Sequence, residues 1–118
     1  MSPEYLFVYG TLRRDGGHEM SRFLAAHAEH LGPATFQGRM YRISWYPGVV
    51  PSADPADRVH GDLFELGDAA TALPKLDDFE GVGPGHVKPQ EYIRRPECVT
   101  LPDGRSVTAW IYVFNRPV

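Results

Sequence analysis

An α+β fold, with several mostly antiparallel strands curled into an open or closed barrel and two helices on the outside, is the architecture this sequence predicts. Three observations predict it. Twelve glycines and 11 prolines fall between short apolar runs rather than in one tract, which favours tight turns and short strands. Two segments carry apolar residues at the three- and four-residue steps of an amphipathic helix. Hydrophobic residues at 42% and charged residues at 23% suit a chain that folds by itself, and 118 residues suit one domain, 1–118, burying roughly two-thirds of its unfolded surface.

The elements follow in order. Tyr5 to Tyr9 is a short strand, aromatic and β-branched, that stops at Gly10, with loop from Gly10 to Gly17. From His18 to His30, Met20, Phe23, Leu24, Ala28 and Leu31 recur at helical steps, and Gly32 is the expected stop. Ala34 to Trp45, with Arg39, Tyr41, Ile43 and Trp45 in alternation, and Val59 to Leu66 read as strands; Pro47 to Asp57 reads as a turn-filled excursion. Leu73, Leu76 and Phe79 mark a second helix, whose regular part is expected to start near Pro74 because proline removes an interior hydrogen bond. Gly81 ends it, and Gly81 to Pro89 is loop. Tyr92 to Leu101 and Ser106 to Phe114 are two strands joined by the turn Pro102-Asp103-Gly104.

Several function classes are disfavoured. A net charge of −3 without a basic stripe argues against nucleic acid, whose binding needs a clustered positive field. The longest apolar runs, near Leu6 to Tyr9 and Ala109 to Phe114, fall far short of the ~20 residues that span a bilayer, so no membrane is expected. A lone Cys98 closes no internal disulfide and reads as a small buried hydrophobe. Without a basic and apolar leader, a soluble cytoplasmic protein is the expectation. The five histidines lack paired spacing with a carboxylate, so no metal is expected. Gly81-Val82-Gly83-Pro84-Gly85 follows a helix rather than a strand, unlike a dinucleotide loop, and no Gly-x-Ser-x-Gly elbow occurs.

Two places remain for chemistry. Glu80 is the last side chain before the helix-ending Gly81, where the partial negative charge of a helix C-terminus disfavours a carboxylate anion, as does burial beside Leu76 and Phe79. Both effects move a glutamate toward the neutral range in which a general base works. The bland alternative, a solvated acid, stays open, and Asp77 and Asp78 read as plain surface acids. At Tyr9-Gly10-Thr11-Leu12 an apolar strand runs into a glycine, where successive amides can form a nest for an anion such as a carboxylate. An ordinary strand-ending turn is the alternative. Arg13 and Arg14 suit a carboxylate or simply face water.

Leu6-Phe7-Val8-Tyr9-Gly10-Thr11-Leu12-Arg13, Asp78-Phe79-Glu80-Gly81, Tyr92-Ile93-Arg94 and Ala109-Trp110-Ile111-Tyr112-Val113, in this order and spacing, resemble the gamma-glutamylcyclotransferase-like (AIG2-like) family, in its small bacterial branch. Tyr46-Pro47-Gly48 and Val59-His60-Gly61-Asp62-Leu63-Phe64 extend the likeness from about Tyr5 to Asn115. The additional loop at Val82 to Pro89 departs from the family and bears on substrate choice. The resemblance implies a compact β-barrel with flanking helices and a cofactor-free reaction on a small-molecule gamma-glutamyl amine or amino acid, giving 5-oxoproline and free amine. On the family pattern Tyr9, Gly10, Thr11 and Leu12 grip the glutamyl head and Glu80 is the general acid/base. Tyr92 and Arg94 line the pocket, brace Glu80 or merely pack the strand; Tyr112 either reaches the pocket or satisfies a buried partner.

Two other readings stand beside catalysis of this kind. One is a noncatalytic module that binds a small molecule or partner on the same fold, which a Gln or Ala at position 80 would have favoured. The other is a hydrolase or acyltransferase on another amide, which would release free glutamate. The pattern specifies no oligomeric state.

Overall fold

The computed structural model describes residues 4–9, 18–42, 47–79 and 92–115. Along the chain they form β1 (Glu4–Val8), α1 (His18–His27), β2 (Ala28–Arg42), β3 (Pro47–Pro51), β4 (Arg58–Leu66), α2 (Ala69–Phe79), β5 (Tyr92–Thr100) and β6 (Ser106–Phe114). The strands hydrogen-bond in the order β3-β2-β4-β1-β6-β5, and β2 also pairs with β5 at Thr35–Thr100 and Phe36–Val99. That second edge closes a five-stranded barrel, β2-β4-β1-β6-β5, with β3 as an extra strand beside β2. Among the described pairings all are antiparallel except β1–β6, where Leu6 lies opposite Trp110.

Alternation along the barrel strands sorts side chains into two cores. Phe7, Tyr9, Ala34, Phe36, Val59, Leu63, Val99, Ala109, Ile111 and Val113 fill the barrel, and Val49 of β3 joins them fully buried. Leu6, Val8, Leu66 and Tyr112 point outward and are covered by Leu24 of α1 and by Ala72, Leu73 and Leu76 of α2. β1 and the second half of β6 are therefore buried on both faces. That is why they read as continuous apolar runs, Leu6-Phe7-Val8-Tyr9 and Trp110-Ile111-Tyr112-Val113-Phe114, rather than as alternating ones.

The β5–β6 hairpin, its turn at 102–104, and the strands at β1 and β4 match the sequence reading. In the turn Gly104 adopts φ +90° and its amide donates to the Leu101 carbonyl at 3.0 Å. Four expectations need correction. α1 ends at His27, not His30, because β4 captures the chain: the Gly67 amide donates to the His27 carbonyl at 3.2 Å, and Ala28 pairs with Leu66. β2 then bulges between His30 and Gly32, where Gly32 takes φ +127°, and Leu31 is left 44% exposed instead of lying on a helical stripe.

The excursion at 47–57 begins with a true strand, since β3 pairs antiparallel with β2 from Gly38–Pro51 to Arg42–Pro47. Its two terminal prolines disguise it, and they sit where an edge strand tolerates missing donors. α2 starts at Ala69, ahead of Pro74. Asp68 caps it, accepting from the Thr71 amide (3.3 Å) and hydroxyl (2.8 Å), and the residue four before Pro74, Ala70, is exposed, so the carbonyl that proline leaves unpaired faces water. Cys98 is exposed, not buried, because Val99 takes the inward position on β5.

Gly61 marks the tightest approach to β1. A Cβ there would stand 2.3 Å from the Val8 carbonyl oxygen and 2.6 Å from the Phe7 ring. Since backbone rather than a flexible side chain blocks it, Gly61→Ala is expected to destabilise the protein by about 1–3 kcal/mol, measured by urea unfolding. An unchanged midpoint would mean that β4 shifts away from β1 without cost.

Candidate active site

Tyr112 joins the two segments that the sequence singles out. Tyr9, directly after β1 and almost fully buried, donates its hydroxyl to the backbone carbonyl of Tyr112. On the other side of the barrel wall, the Tyr112 hydroxyl donates to Oδ1 of Asp77, in the last turn of α2, at 2.7 Å. Tyr9 immediately precedes Gly10, and α2 ends at Phe79, immediately before Glu80. Gly10, Thr11, Leu12 and Glu80 themselves lie outside the described residues, as do Arg13, Arg14 and the 81–89 loop.

Asp77 is not a plain surface acid. Its side chain is 17% exposed and accepts three hydrogen bonds: from Tyr112, from Arg94 Nε at 2.6 Å and from Arg94 Nη2 at 3.1 Å. The two-pronged contact suits a planar guanidinium and a carboxylate. Arg94 and Tyr112 are cross-strand partners on β5 and β6, so one pair of facing strand positions supplies all three donors. The Arg94 guanidinium also lies over the Trp110 ring, 4.4 Å from its centroid, and Trp110 Nε1 donates to Glu4 Oε1 at 3.1 Å.

The electrostatics explain this arrangement. α2 carries no basic residue in its last turn, yet Asp77 and Asp78 stand there, where the helix end is already partially negative. Arg94 brings the missing cation from the neighbouring strand. Burial pulls the Arg94 pKa down, but the hydrogen bonds and charge of Asp77, with Tyr112 and Glu4 behind them, carry it above the ordinary arginine value. Arg94 therefore keeps its positive charge where it meets Asp77.

Of the two β5 candidates, Arg94 directs its guanidinium to Asp77 and Trp110. Tyr92 faces Phe114 across the β5–β6 ladder, its ring edge-on at 5.9 Å, and packs against the outer core. Asp77, Trp110 and Glu4 escaped the sequence reading of the site. The signal for Asp77 was present: acids crowding a helix C-terminus need a cation, and the Tyr-x-Arg strand holds one.

Among the described residues no three His, Cys, Asp or Glu side chains converge as a metal site, and no helix is long and apolar enough to cross a membrane. A small open pocket of about 200 Å³, lined by Glu4, Tyr5, Pro96, Thr108, Ala109 and Trp110, touches this network only at Glu4 and Trp110 and does not include Tyr9. Tyr112→Phe deletes one donor to Asp77 and is expected to lower stability by about 1–2 kcal/mol in thermal unfolding. Wild-type stability would mean that water replaces the hydroxyl.

The family model described as gamma-glutamyl cyclotransferase, AIG2-like, matches residues 6–118. The chain is similar to the gamma-glutamylcyclotransferase family protein YtfP of Escherichia coli K12, with 32% identity over 114 residues that cover 96% of this chain and 84% of that one. Among solved structures it resembles an AIG2-like protein of mouse, with a TM-score of 0.75 and 22% identity over 100% of this chain and 81% of that one, a likeness of fold. It also resembles YkqA of Bacillus subtilis, with a TM-score of 0.68 and 26% identity; the match covers 97% of this chain and only 36% of YkqA.

Proposed function

The chain belongs to the AIG2-like gamma-glutamyl cyclotransferase family, and from that premise we propose that it converts a small-molecule gamma-glutamyl amine or amino acid into 5-oxoproline and the free amine without a cofactor. Glu80 is the general acid/base. It takes a proton from the substrate α-ammonium, the freed nitrogen attacks the γ-carbonyl carbon, and the tetrahedral intermediate collapses as the same carboxyl group returns a proton to the departing amine. One C–N bond forms and one breaks, with no water consumed and no change of oxidation state.

Tyr9, Gly10, Thr11 and Leu12 hold the glutamyl head through backbone groups in this reading. The attack is intramolecular, so folding the glutamyl chain with its nitrogen near the carbonyl carbon supplies on the order of several kcal/mol of the rate enhancement. Tyr92 and Arg94 flank the site on β5, with Arg94 acting as a brace through Asp77. The observation that carries the reading is Tyr112, which bonds to Tyr9 through its carbonyl and to Asp77 through its hydroxyl. The chain thus runs into the proposed grip and into the proposed base from two points anchored on one residue of β6. The acids of the last α2 turn also make the helix end an unfavourable place for a further anion, which favours a glutamate able to hold a proton near neutral pH.

The test is incubation of the purified protein with a panel of gamma-glutamyl amines and amino acids, with 5-oxoproline read by mass. Glu80→Gln is expected to fold normally and lose ~10² to 10⁴ in rate, because the amide keeps the shape and cannot carry the proton. Full activity in that variant would remove Glu80 from the mechanism. Free glutamate as product would point to hydrolysis, and binding without turnover to a noncatalytic module. Gly10→Val is expected to raise KM, since a side chain there fills the approach to the amides; an unchanged KM would move the grip elsewhere.

A further inference from the structure

The last turn of α2 is held by directional bonds in addition to apolar packing. Ala72, Leu73 and Leu76 already bury the helix against the outer core, with Leu76 fully buried. A leucine at position 77 would add to that contact and avoid the desolvation of a half-buried carboxylate. What it would lack is direction. Apolar contacts tolerate sliding and rotation, whereas a fork of two N–H bonds and a hydroxyl, at 2.6, 3.1 and 2.7 Å, fixes both. The donors are themselves held: Arg94 by Trp110, Trp110 by Glu4, and both Arg94 and Tyr112 by the β5–β6 ladder. Side chains from β5 and β6 thus converge on a single carboxylate three residues before Glu80, with Glu4 of β1 behind them through Trp110.

We propose that Asp77 is a positioning residue for the cyclisation: gripped by Arg94 and Tyr112, it fixes the direction in which the end of α2 carries the chain to Glu80. This rests on the reading of Glu80 as the acid/base. A proton relay between the α-nitrogen and the leaving nitrogen needs the carboxyl group within hydrogen-bond reach of both in turn, and a misplacement of about 1 Å costs on the order of 10²-fold in rate. The substrate grip hangs instead on β1 through Tyr9, so loosening the end of α2 acts on the chemical step and not on binding.

Asp77→Asn, made in the full chain, is nearly isosteric and keeps an acceptor for Tyr112 while losing the anionic fork. Three readouts are expected per mole of folded protein. The value of kcat for 5-oxoproline formation falls by ~10- to 10²-fold, with KM within about 3-fold. In a Glu80→Gln background the same substitution brings no further rate loss. Amide hydrogen exchange at Leu76 to Phe79 speeds by ~10-fold or more relative to the barrel strands, a local loosening that needs no substrate to detect.

An unchanged kcat with faster exchange would reduce Asp77 to a structural brace and overturn the proposal, as would an equal rate loss with and without Glu80. Unchanged exchange would overturn the clamp itself, whatever the activity. A wild-type protein that makes no 5-oxoproline, while Asp77→Asn still loosens the last turn, would sink the Glu80 reading and with it the catalytic role, leaving only the clamp. Should Asp77→Asn fail to fold, Arg94→Lys keeps the charge without the fork; it is expected to shift the same three readouts in the same direction by less, and wild-type values would overturn the proposal.

Discussion

The carboxylate of Asp77, accepting from Arg94 and from Tyr112, is the contact that ties the end of α2 to the barrel wall. It stands where a carboxylate is least welcome, at the negative end of a helix whose last turn has no basic residue, and partly out of water. Such a group persists only when its charge and lone pairs are answered, and here both answers come from facing positions of two adjacent strands. The consequence is a helix end referenced to the barrel wall by directional bonds. Tyr112 then serves twice, because its carbonyl accepts from Tyr9 while its hydroxyl donates to Asp77.

That double duty is possible because β1 and β6 form a wall with a core on each side. Inside, Phe7, Ile111 and Val113 pack with Phe36 and Leu63; outside, Leu6, Val8 and Tyr112 lie under α1 and α2. A strand buried on both faces has little freedom to slide, since a one-residue slip exchanges the two sets of side chains. Gly61 lets β4 approach the same wall at backbone distance. The segments leading to residue 10 and to residue 80 are therefore mounted on a rigid part of the molecule, which suits chemistry that relies on placement.

Much of the barrel was legible in the sequence because its wall strands are short apolar runs bounded by strong turn signals. The β5–β6 hairpin followed from two strand-like runs on either side of Pro102-Asp103-Gly104. What escaped was decided by competition between distant segments. A helical stripe through His30 looked continuous locally, but pairing of Ala28 with Leu66 outweighed it, and Leu31 became a bulge on the surface. β3 was hidden by its two prolines, and the real start of α2 by a third, each tolerated because an edge or an exposed carbonyl removes the usual penalty. At the site, Asp77 was read as a plain surface acid because its partner lies 17 residues away on another element.

The central claim is that the turn after Tyr9 and the residue after α2 serve one ligand. It is tested most directly by following backbone amide resonances of the isotopically labelled protein while 5-oxoproline is added. The account predicts that Gly10, Thr11, Leu12 and Glu80 shift together along one binding curve, with Asp77 and Arg94 responding beside them. Saturable shifts confined to the residues around Glu4, Thr108 and Trp110, with positions 10–12 and 80 silent, would place the ligand elsewhere and contradict it.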